Sequence, residues 1–322
     1  MKNKKAGNIL RSCAFQIIMK RAGRINFHLT YWLVSLLVIA GLYSCDEFEG
    51  NQTVPSYIQI DSLGFTCDLD LQGTTNQRIV DAWIYVDDNL VGGFELPAKV
   101  PVLVEGVHKL EIRPGILLNG ISDTRAPYPC IEPVILEDFN FEPDSIINAY
   151  GVSTYYGNAE FIWMEDFEDA SLTIKKSENS DTTIARINTN GVFTEDFSQY
   201  SGICYLDENA EYVQLISDDG NNEGFIFDRG DFIFLEMNYR CNSPIVVGLY
   251  ITLQDYTVEN RSFLIISPSE DWKKIYVNFT PIVNETVNAV SYVVYIESYL
   301  MDGSINGFIM LDNIKLVTRP NL

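Results

Sequence analysis

The chain has 322 residues, of which 47% are hydrophobic, and it carries 44 Asp or Glu against 22 Lys or Arg, a net charge of −22. This hydrophobic content supports a folded core and excludes a disordered chain. The excess of acidic residues repels nucleic acid and anionic lipid, so nucleic acid is excluded as a partner.

The first 44 residues have the composition of a secretory leader. Residues 1–44 contain seven Lys or Arg and no acidic residue, and their apolar run, Leu29–Leu42, ends shortly before Cys45. This order of segments predicts a signal peptide. The apolar run is shorter than the roughly 20 residues that a membrane-spanning helix needs, so a retained transmembrane anchor is the weaker alternative. A signal peptide of ordinary length begins at Met19, which is a possible true start.

Leu42-Tyr43-Ser44-Cys45 resembles a lipobox, the signal that the lipoprotein-processing peptidase reads. The resemblance implies that Cys45 carries a lipid and anchors the mature chain to a membrane; an ordinary thiol near a conventional cleavage site is the alternative. The acidic run 46–49 resembles the export signal of Bacteroidetes surface lipoproteins, whereas Asp directly after the lipid cysteine suggests inner-membrane retention in enterobacteria. We expect an outer-membrane lipoprotein facing the cell surface, with 45–54 as an acidic tether.

The segment 55–140 has the pattern of short strands. Without the leader, the chain has 15 basic and 44 acidic residues, a net charge of −29. It also shows almost no helical periodicity. Asp81–Val86 alternates in polarity, and the turn at 87–89 leads into Leu90–Phe94, which predicts a hairpin. The stretch VDDNLVGGFELPAKVPVLVEGVHKLEIRPGI resembles Ig-like or PEGA-like modules of bacterial surface proteins. The resemblance implies an Ig-like β-sandwich module, a type that usually serves as a spacer.

A second all-β domain is predicted at 159–322, after a linker at 141–158 that contains Pro143 and a polar run. About ten runs of β-forming residues with Gly, Asn and Asp turns suggest a jelly-roll β-sandwich. The segments EDFEDASLTI, FLEMNYRCNSPIVVGLYI and GFIMLDNIKLV resemble uncharacterised Bacteroidetes lipoproteins and, more distantly, jelly-roll carbohydrate-binding modules. The fold class is therefore all-β, an Ig-like module followed by a jelly roll.

Four cysteines remain outside the leader and the lipid site: Cys67, Cys130, Cys204 and Cys241. Pairing within each predicted domain gives Cys67–Cys130 and Cys204–Cys241, as an oxidising compartment allows. Four buried free thiols are the alternative, since no pair has the C-x₂-C spacing of a zinc site.

Acidic residues at both ends of the predicted jelly roll suggest a structural Ca²⁺. Asp166 and Glu168 open the domain, and Asp312 lies in its last strand. The first and last strands of jelly-roll carbohydrate modules often lie together, and calcium takes six to eight oxygen ligands. A solvated acidic turn plus a carboxylate that caps a loop is the alternative.

On each of three predicted strands, the face opposite the apolar one carries both an aromatic and a polar residue. The candidate glycan-binding residues on these strands are Phe234, Glu236, Asn238, Tyr250, Tyr295 and Glu297. Aromatic faces contact sugar C–H groups, while carboxylates and amides bind hydroxyls. Ordinary β-forming and core packing is the alternative.

No catalytic motif is visible. The mature chain has one histidine, His108, and no nucleophile elbow, zinc-protease motif or P-loop. We therefore expect a non-catalytic surface lipoprotein that binds glycan through the jelly roll. A structural or assembly component that binds other envelope proteins is the alternative, and an adhesin or pilus-type subunit is a third.

Overall fold

The computed structural model describes residues 31–36, 54–189, 191–196, 198–221 and 223–321. The chain divides into two units, Met1–Val54 and Pro55–Leu322. In the first unit, 31–36 form helix α1 with exposed side chains. Within the described ranges, no helix is both long and apolar enough to cross a membrane. The predicted start at Met19, the lipidation residue Cys45 and most of the predicted tether lie outside these ranges.

The first half of the second unit consists of short strands and one helical turn. The strands are β1 (Ser56–Ile60), β2 (Gly64–Phe65), β3 (Asp81–Val86), β4 (Asn89–Glu95), β5 (Ala98–Val102), β6 (Gly106–Leu117), β7 (Arg125–Pro127), β8 (Val134–Phe141), β9 (Ile146–Asn148) and β10 (Val152–Ser153), and α2 is Leu69–Gln72. The predicted hairpin is confirmed: β3 pairs with β4, and Asp87 and Asp88 both have positive φ, as a tight two-residue turn requires.

These strands form two main sheets around a core of their own. One sheet has the order β5-β1-β9, and the other has the order β4-β3-β6-β7 with β8 also on β6. Apolar residues of both sheets, among them Ile58, Ile84 and Leu110, are fully buried between them. This half, β1 to β10, is called the N-terminal region below; its predicted Ig-like family stays a prediction.

The predicted linker at 141–158 is a part of the folded structure. β9 pairs in parallel with β1, and β10 pairs in parallel with β2. Beyond them, Tyr155 is 2% exposed and packs against Phe161. The sequence suggested a linker because its polar residues form turns, but its alternate apolar residues complete the N-terminal sheets.

The second half is a two-layer β-sandwich. Its elements are β11 (Glu160–Glu165), β12 (Ile174–Lys176), β13 (Ala185–Ile187), β14 (Ser201–Asp207), β15 (Tyr212–Ser217), β16 (Phe232–Cys241), β17 (Ile245–Leu253), β18 (Val258–Ile266), β19 (Ser269–Asn278), α3 (Thr280–Glu285), β20 (Ala289–Tyr299) and β21 (Asn306–Arg319). The sequence predicted about ten strands for this half, and the structure has eleven among its described residues.

The strand order is that of a jelly roll. One sheet has the order β13-β14-β21-β16-β19, and β11 shares the same edge of the long strand β21 with β14. The other, called the second sheet, has the order β12-β15-β20-β17-β18. The eight strands β14 to β21 thus divide into 14-21-16-19 and 15-20-17-18, the two four-stranded layers of a jelly roll. The core between them includes Leu235, Met237, Leu249 and Val294. The predicted all-β class with a C-terminal jelly roll is confirmed.

The N-terminal region lies on the outer face of the first of these sheets, which is therefore called the covered sheet. A third buried cluster joins Ile116, Tyr128 and Tyr155 of the N-terminal half to Phe234 and Tyr276 of the covered sheet. Burial of this apolar surface, at roughly 25 cal/mol per Å², holds the two halves together. The N-terminal region is thus packed against the jelly roll along the sheet face.

The predicted disulfides are wrong in this structure, where all four cysteines are free. Cys204 and Cys241 lie on strands that flank β21, each opposite Ile309. Two inter-strand spacings separate their Cα atoms by roughly 9 to 10 Å, beyond the reach of a disulfide. Cys67 instead donates to Gly73 O at 3.2 Å, and burial raises the pKa of the Cys130 thiol to about 12.

Candidate functional site

The six predicted glycan-binding residues fall on two different sheets. Phe234, Glu236 and Asn238 lie on the outer face of β16, as their alternation predicted, but they are 2%, 0% and 2% exposed. The exposed surface expected for these three side chains is therefore wrong, because the N-terminal region covers that face, although Asn238 lines an open cavity at its edge. The residues Tyr250, Tyr295 and Glu297 lie on the outer face of the second sheet.

On the second sheet, the polar side chains bond to one another. Glu297 accepts hydrogen bonds from Tyr212 Oη at 2.6 Å and from Gln214 Nε2 at 2.9 Å, and Tyr250 Oη donates to Gln214 Oε1 at 3.1 Å. Tyr295 has no exposed surface, so it is unavailable as a stacking platform, which corrects its predicted role. Its ring occupies the space over Gly248, where an added Cβ would lie 2.3 Å from the ring.

Under the N-terminal region, Glu236 is the centre of a buried polar network. Its carboxylate accepts hydrogen bonds from Tyr128 Oη at 2.7 Å, from Tyr155 Oη at 3.0 Å and from Gln77 Nε2 at 3.1 Å. Lys274 Nζ lies 3.3 Å from the same carboxylate. Three donors from the N-terminal region thus converge on one acceptor of the covered sheet.

The network contains one carboxylate, Glu236, and two lysines, Lys274 and Lys315. Burial disfavours the ionised carboxylate, but the charges of Lys274 and Lys315 and the hydrogen bonds from Tyr128 and Gln77 together outweigh this cost, so the pKa of Glu236 lies below its ordinary value. Burial, followed by repulsion from Lys274, lowers the pKa of Lys315 to about 8, and the attraction of Glu236 offsets this only in part. Lys315 Nζ donates to Thr74 O at 2.8 Å.

The segment 73–78, which follows α2, is held against the covered sheet by hydrogen bonds. Tyr276 Oη donates to Gln77 Oε1 at 2.7 Å and accepts from the Arg78 backbone N at 2.8 Å. Asn238 Nδ2 donates to Asn76 Oδ1 at 2.9 Å. This segment therefore forms one wall of any opening at the Asn238 end of β16.

An open cavity of about 370 Å³ lies at this end, and it is called the amide pocket. Its lining comprises Asn76, Gln77, Arg78, Phe193, Glu195, Asn238, Asp271, Trp272, Lys273 and Lys274. Within the described part of the chain, Asn238 Oδ1 and Lys274 Nζ are buried and make no hydrogen bond. Trp272 is held by a hydrogen bond from its Nε1 to Gly191 O at 2.9 Å and by an edge contact with Phe193. Asn238, whose Oδ1 has no partner among the described residues, and Lys274, whose Nζ is paired with Glu236, thus line a cavity together with an indole.

The predicted calcium ligands lie near one another. Glu168 Oε1 accepts from Ser198 Oγ at 3.3 Å, and Asp312 Oδ2 accepts from the same hydroxyl at 3.2 Å. Asp166 accepts from the Glu168 backbone N at 3.0 Å, which is a turn-capping bond. Burial, together with the nearby charge of Glu168, raises the pKa of Asp312 to about 7, although its hydrogen bonds oppose the shift.

A cavity of about 200 Å³ adjoins these carboxylates and is lined by Asp166, Glu168, Asp196, Ser198 and Asn313, among others. Asp196 Oδ2 and Asn313 Oδ1 are buried without a hydrogen-bond partner in the described ranges. Oxygen atoms without partners are the donor type that Ca²⁺ takes. No three His, Cys, Asp or Glu side chains of the described residues, however, form a group that could hold a metal. The calcium site stays a prediction.

No protein-family model matches the chain, and no curated protein sequence matches it. Among solved structures, it is similar to the xylan-binding domain CBM22-1 of Paenibacillus barcinonensis Xyn10C, at 7% identity and a TM-score of 0.37, over 52% of this chain and 99% of that domain. It is also similar to the family 11 carbohydrate-binding module of the Clostridium thermocellum cellulase Lic26A-Cel5E, at 12% identity and a TM-score of 0.33, over 48% and 92%. With TM-scores below 0.5, these similarities assign neither a ligand nor a site to this chain.

Sequence reasoning missed most of the amide pocket. Trp272 and Lys274 lie in the stretch DWKKIYVNFT, where Lys274, Tyr276 and Asn278 alternate with the core residues Ile275 and Val277, and this alternation was the available signal. Asn76 and Gln77 lie in a polar loop with no local sign that it would fold onto a distant sheet.

Proposed function

We propose that this chain is a non-catalytic binding protein and that its amide pocket binds a glycan. The observation that carries the proposal is Asn238 Oδ1, a buried acceptor with no hydrogen-bond partner among the described residues, on a residue that lines a cavity together with the Trp272 ring. Buried polar atoms need a partner, either water or a ligand. A sugar hydroxyl can donate to Asn238 Oδ1, and its oxygen can accept from Lys274 Nζ, which is paired with the Glu236 carboxylate at 3.3 Å and has further N–H groups to donate.

The charge of the pocket favours a neutral polyhydroxyl ligand. Arg78, Lys273 and Lys274 contribute positive charge, while Glu195 and Asp271 contribute negative charge. Asn76 and Gln77 add amide groups that both donate and accept. Such a mixture suits hydroxyl groups better than an anion or a cation, and the indole face offers apolar contact to a sugar ring.

The outer face of the second sheet is the less favoured position. Its carboxylate and amide groups are already bonded within the cluster around Glu297, and Tyr295 is fully buried. A ligand there would have to displace existing hydrogen bonds, which reduces the net gain from binding.

A glycan-array screen of the whole chain, followed by calorimetric titration of the best ligand, tests the proposal. The whole chain is required because Asn76 and Gln77 come from the N-terminal region. We expect Trp272→Ala and Asn238→Ala to weaken binding at least roughly tenfold, which corresponds to about 1.4 kcal/mol.

Tyr250→Ala is the matched control, because it removes a half-buried aromatic ring from the second sheet. It should leave the affinity unchanged. Loss of binding by Tyr250→Ala with retention by Trp272→Ala would move the site to the second sheet. A folded chain that binds no glycan would refute glycan binding and favour an envelope protein as the partner.

The proposed location is the outer membrane, with a lipid on Cys45 and the folded unit facing outward. Support comes from the basic leader, the short apolar run and the sequence Leu42-Tyr43-Ser44-Cys45. Metabolic labelling with a fatty-acid analogue tests it. Cys45→Ala should abolish both labelling and membrane retention, and continued anchoring of that variant would contradict the proposal.

A structural Ca²⁺ is proposed at the acidic cavity. Asp166 and Glu168 line this cavity and would supply carboxylate oxygens, together with Asp312, which is joined to Glu168 through Ser198 Oγ. The unpaired oxygens of Asp196 and Asn313 adjoin them. A cation there would neutralise carboxylates that otherwise repel one another, and so it would stabilise the start and the last strand of the jelly roll.

A further inference from the structure

A second cavity, of about 480 Å³, lies at the other end of the outer face of β16, between the N-terminal region and the jelly roll. It is called the arginine cleft, and its lining includes Arg113 and Tyr156 from one side and Phe232 and Arg319 from the other. Phe234, which the sequence assigned to glycan binding, lies in its wall. The volume is in the range of small-molecule sites, roughly 300 to 1,000 Å³.

The cleft is apolar and preformed. Four prolines contribute to its lining, namely Pro127, Pro129, Pro133 and Pro281. Tyr128 and Phe234, which also line it, are each 2% exposed and pack edge to face with ring centroids 5.1 Å apart. Proline backbones and buried rings lose little conformational freedom on binding, so a ligand meets a surface that is already ordered.

Arg319 is the charged group of the cleft that forms no ion pair with any described residue. Its guanidinium lies over the Tyr156 ring at 4.0 Å and over the Phe232 ring at 5.1 Å from the ring centroids. Its Nε is buried and makes no hydrogen bond to any described residue. Arg113, by contrast, donates to Glu111 at 2.5 Å.

This arrangement is unusual in a chain with 44 acidic and 22 basic residues. Among the described residues that line the cleft, none is Asp or Glu. The planar guanidinium fork matches a carboxylate, and charge-assisted hydrogen bonds of this type are stronger than neutral ones. The net charge of the chain repels a polyanion, so a ligand with a single negative charge is favoured.

The other polar groups of the cleft are largely occupied. Asn284 Oδ1 accepts from the Gly230 backbone N at 2.7 Å, and Asn278 Oδ1 accepts from the Thr280 backbone N at 3.0 Å. Few groups therefore remain to bind sugar hydroxyls. We propose that the arginine cleft binds a small carboxylate with an apolar ring, whose carboxylate pairs with Arg319 and whose ring packs on the proline and aromatic walls. The proposal is independent of glycan binding at the amide pocket.

Isothermal titration of the whole chain with 1-naphthoate, against neutral 1-naphthamide and against glucuronate, tests this site. We expect naphthoate to bind at least roughly tenfold more tightly than either of the other two, since the amide lacks the charge and glucuronate lacks the apolar ring. Equal binding of naphthoate and naphthamide would overturn the role of the charge. Tighter binding of glucuronate would overturn the apolar ligand class.

Variants locate the site. Arg319→Gln should weaken naphthoate binding at least roughly tenfold, whereas Arg240→Gln, which changes an arginine over the Phe308 ring outside the cleft, should have no effect. Ala126→Phe adds a ring to the lining without changing a charge, and it should block binding even if Arg319→Gln proves unstable. Wild-type affinity in both cleft variants would refute the proposal.

Discussion

Replacement of Glu236 by alanine should be among the most destabilising single changes in this chain. The side chain is 0% exposed, and its removal leaves Lys274 without its ion-pair partner at 3.3 Å and leaves the donors of Tyr128, Tyr155 and Gln77 without their acceptor. Removal of one partner from a buried ion pair costs about 3 to 5 kcal/mol. Unpaired buried donors add to this cost, so we expect a loss of at least about 4 kcal/mol.

Urea unfolding followed by tryptophan fluorescence measures this loss. Glu259→Ala is the control, because Glu259 forms an exposed ion pair with Arg261 at 2.7 Å, and such pairs contribute about 1 kcal/mol or less. The double variant Glu236→Gln/Lys274→Met removes both charges, and it should be less destabilised than Glu236→Ala. A cost for Glu236→Ala within about 1 kcal/mol of the control would refute the view that this network couples the two halves.

The same carboxylate should make stability depend on pH in the acid range. The folded pKa of Glu236 lies below its ordinary value of 4.5, because the two lysine charges and the hydrogen bonds to the carboxylate together outweigh the effect of burial. Its contribution is therefore fully present above pH 4.5 and is lost as the pH falls through the lower folded value. In Glu236→Gln this part of the acid dependence should be absent.

Three further predictions concern other parts of the fold. Gly248→Ala places a Cβ 2.3 Å from a buried tyrosine ring and should cost about 1 to 3 kcal/mol in thermal unfolding, whereas Gly157→Ala, with nothing within 4 Å, should be close to neutral. The NMR titration midpoint of His108 should lie above 6.5, because its Nδ1 donates to Asp87 at 2.6 Å, and Asp87→Asn should lower this midpoint. The small stabilisation of the fold by this pair is present below pH 6.5 and is lost as the pH rises through the folded pKa of His108. If calcium is bound, EDTA should lower the melting temperature of the wild type by several degrees and leave the melting temperature of Asp312→Asn unchanged. An unchanged melting curve of the wild type would refute the calcium site.

Local pattern predicted the strands and their two faces, because alternation is a property of neighbouring residues. The face of β16 that carries Phe234, Glu236 and Asn238 was assigned correctly as the one opposite the core. The exposure of this face was predicted wrongly, because the residues that cover it, such as Gln77, Tyr128 and Tyr155, lie roughly 80 to 160 positions earlier in the sequence and form no local pattern with it. The charged residues Glu236, Lys274 and Lys315, each next to a core residue in its strand, were a local trace of a second buried surface.

The position of the N-terminal region changes what this region does. A spacer would leave the outer face of the covered sheet free, whereas here it covers the middle of β16 at Glu236 and leaves an opening at each end. It contributes Asn76 and Gln77 to the amide pocket and Arg113 and Tyr156 to the arginine cleft. Neither opening exists in the jelly roll alone. Because the same three hydrogen-bond donors fix the region over Glu236, the geometry of both openings depends on one buried network, and a variant that loosens the network should weaken binding at both.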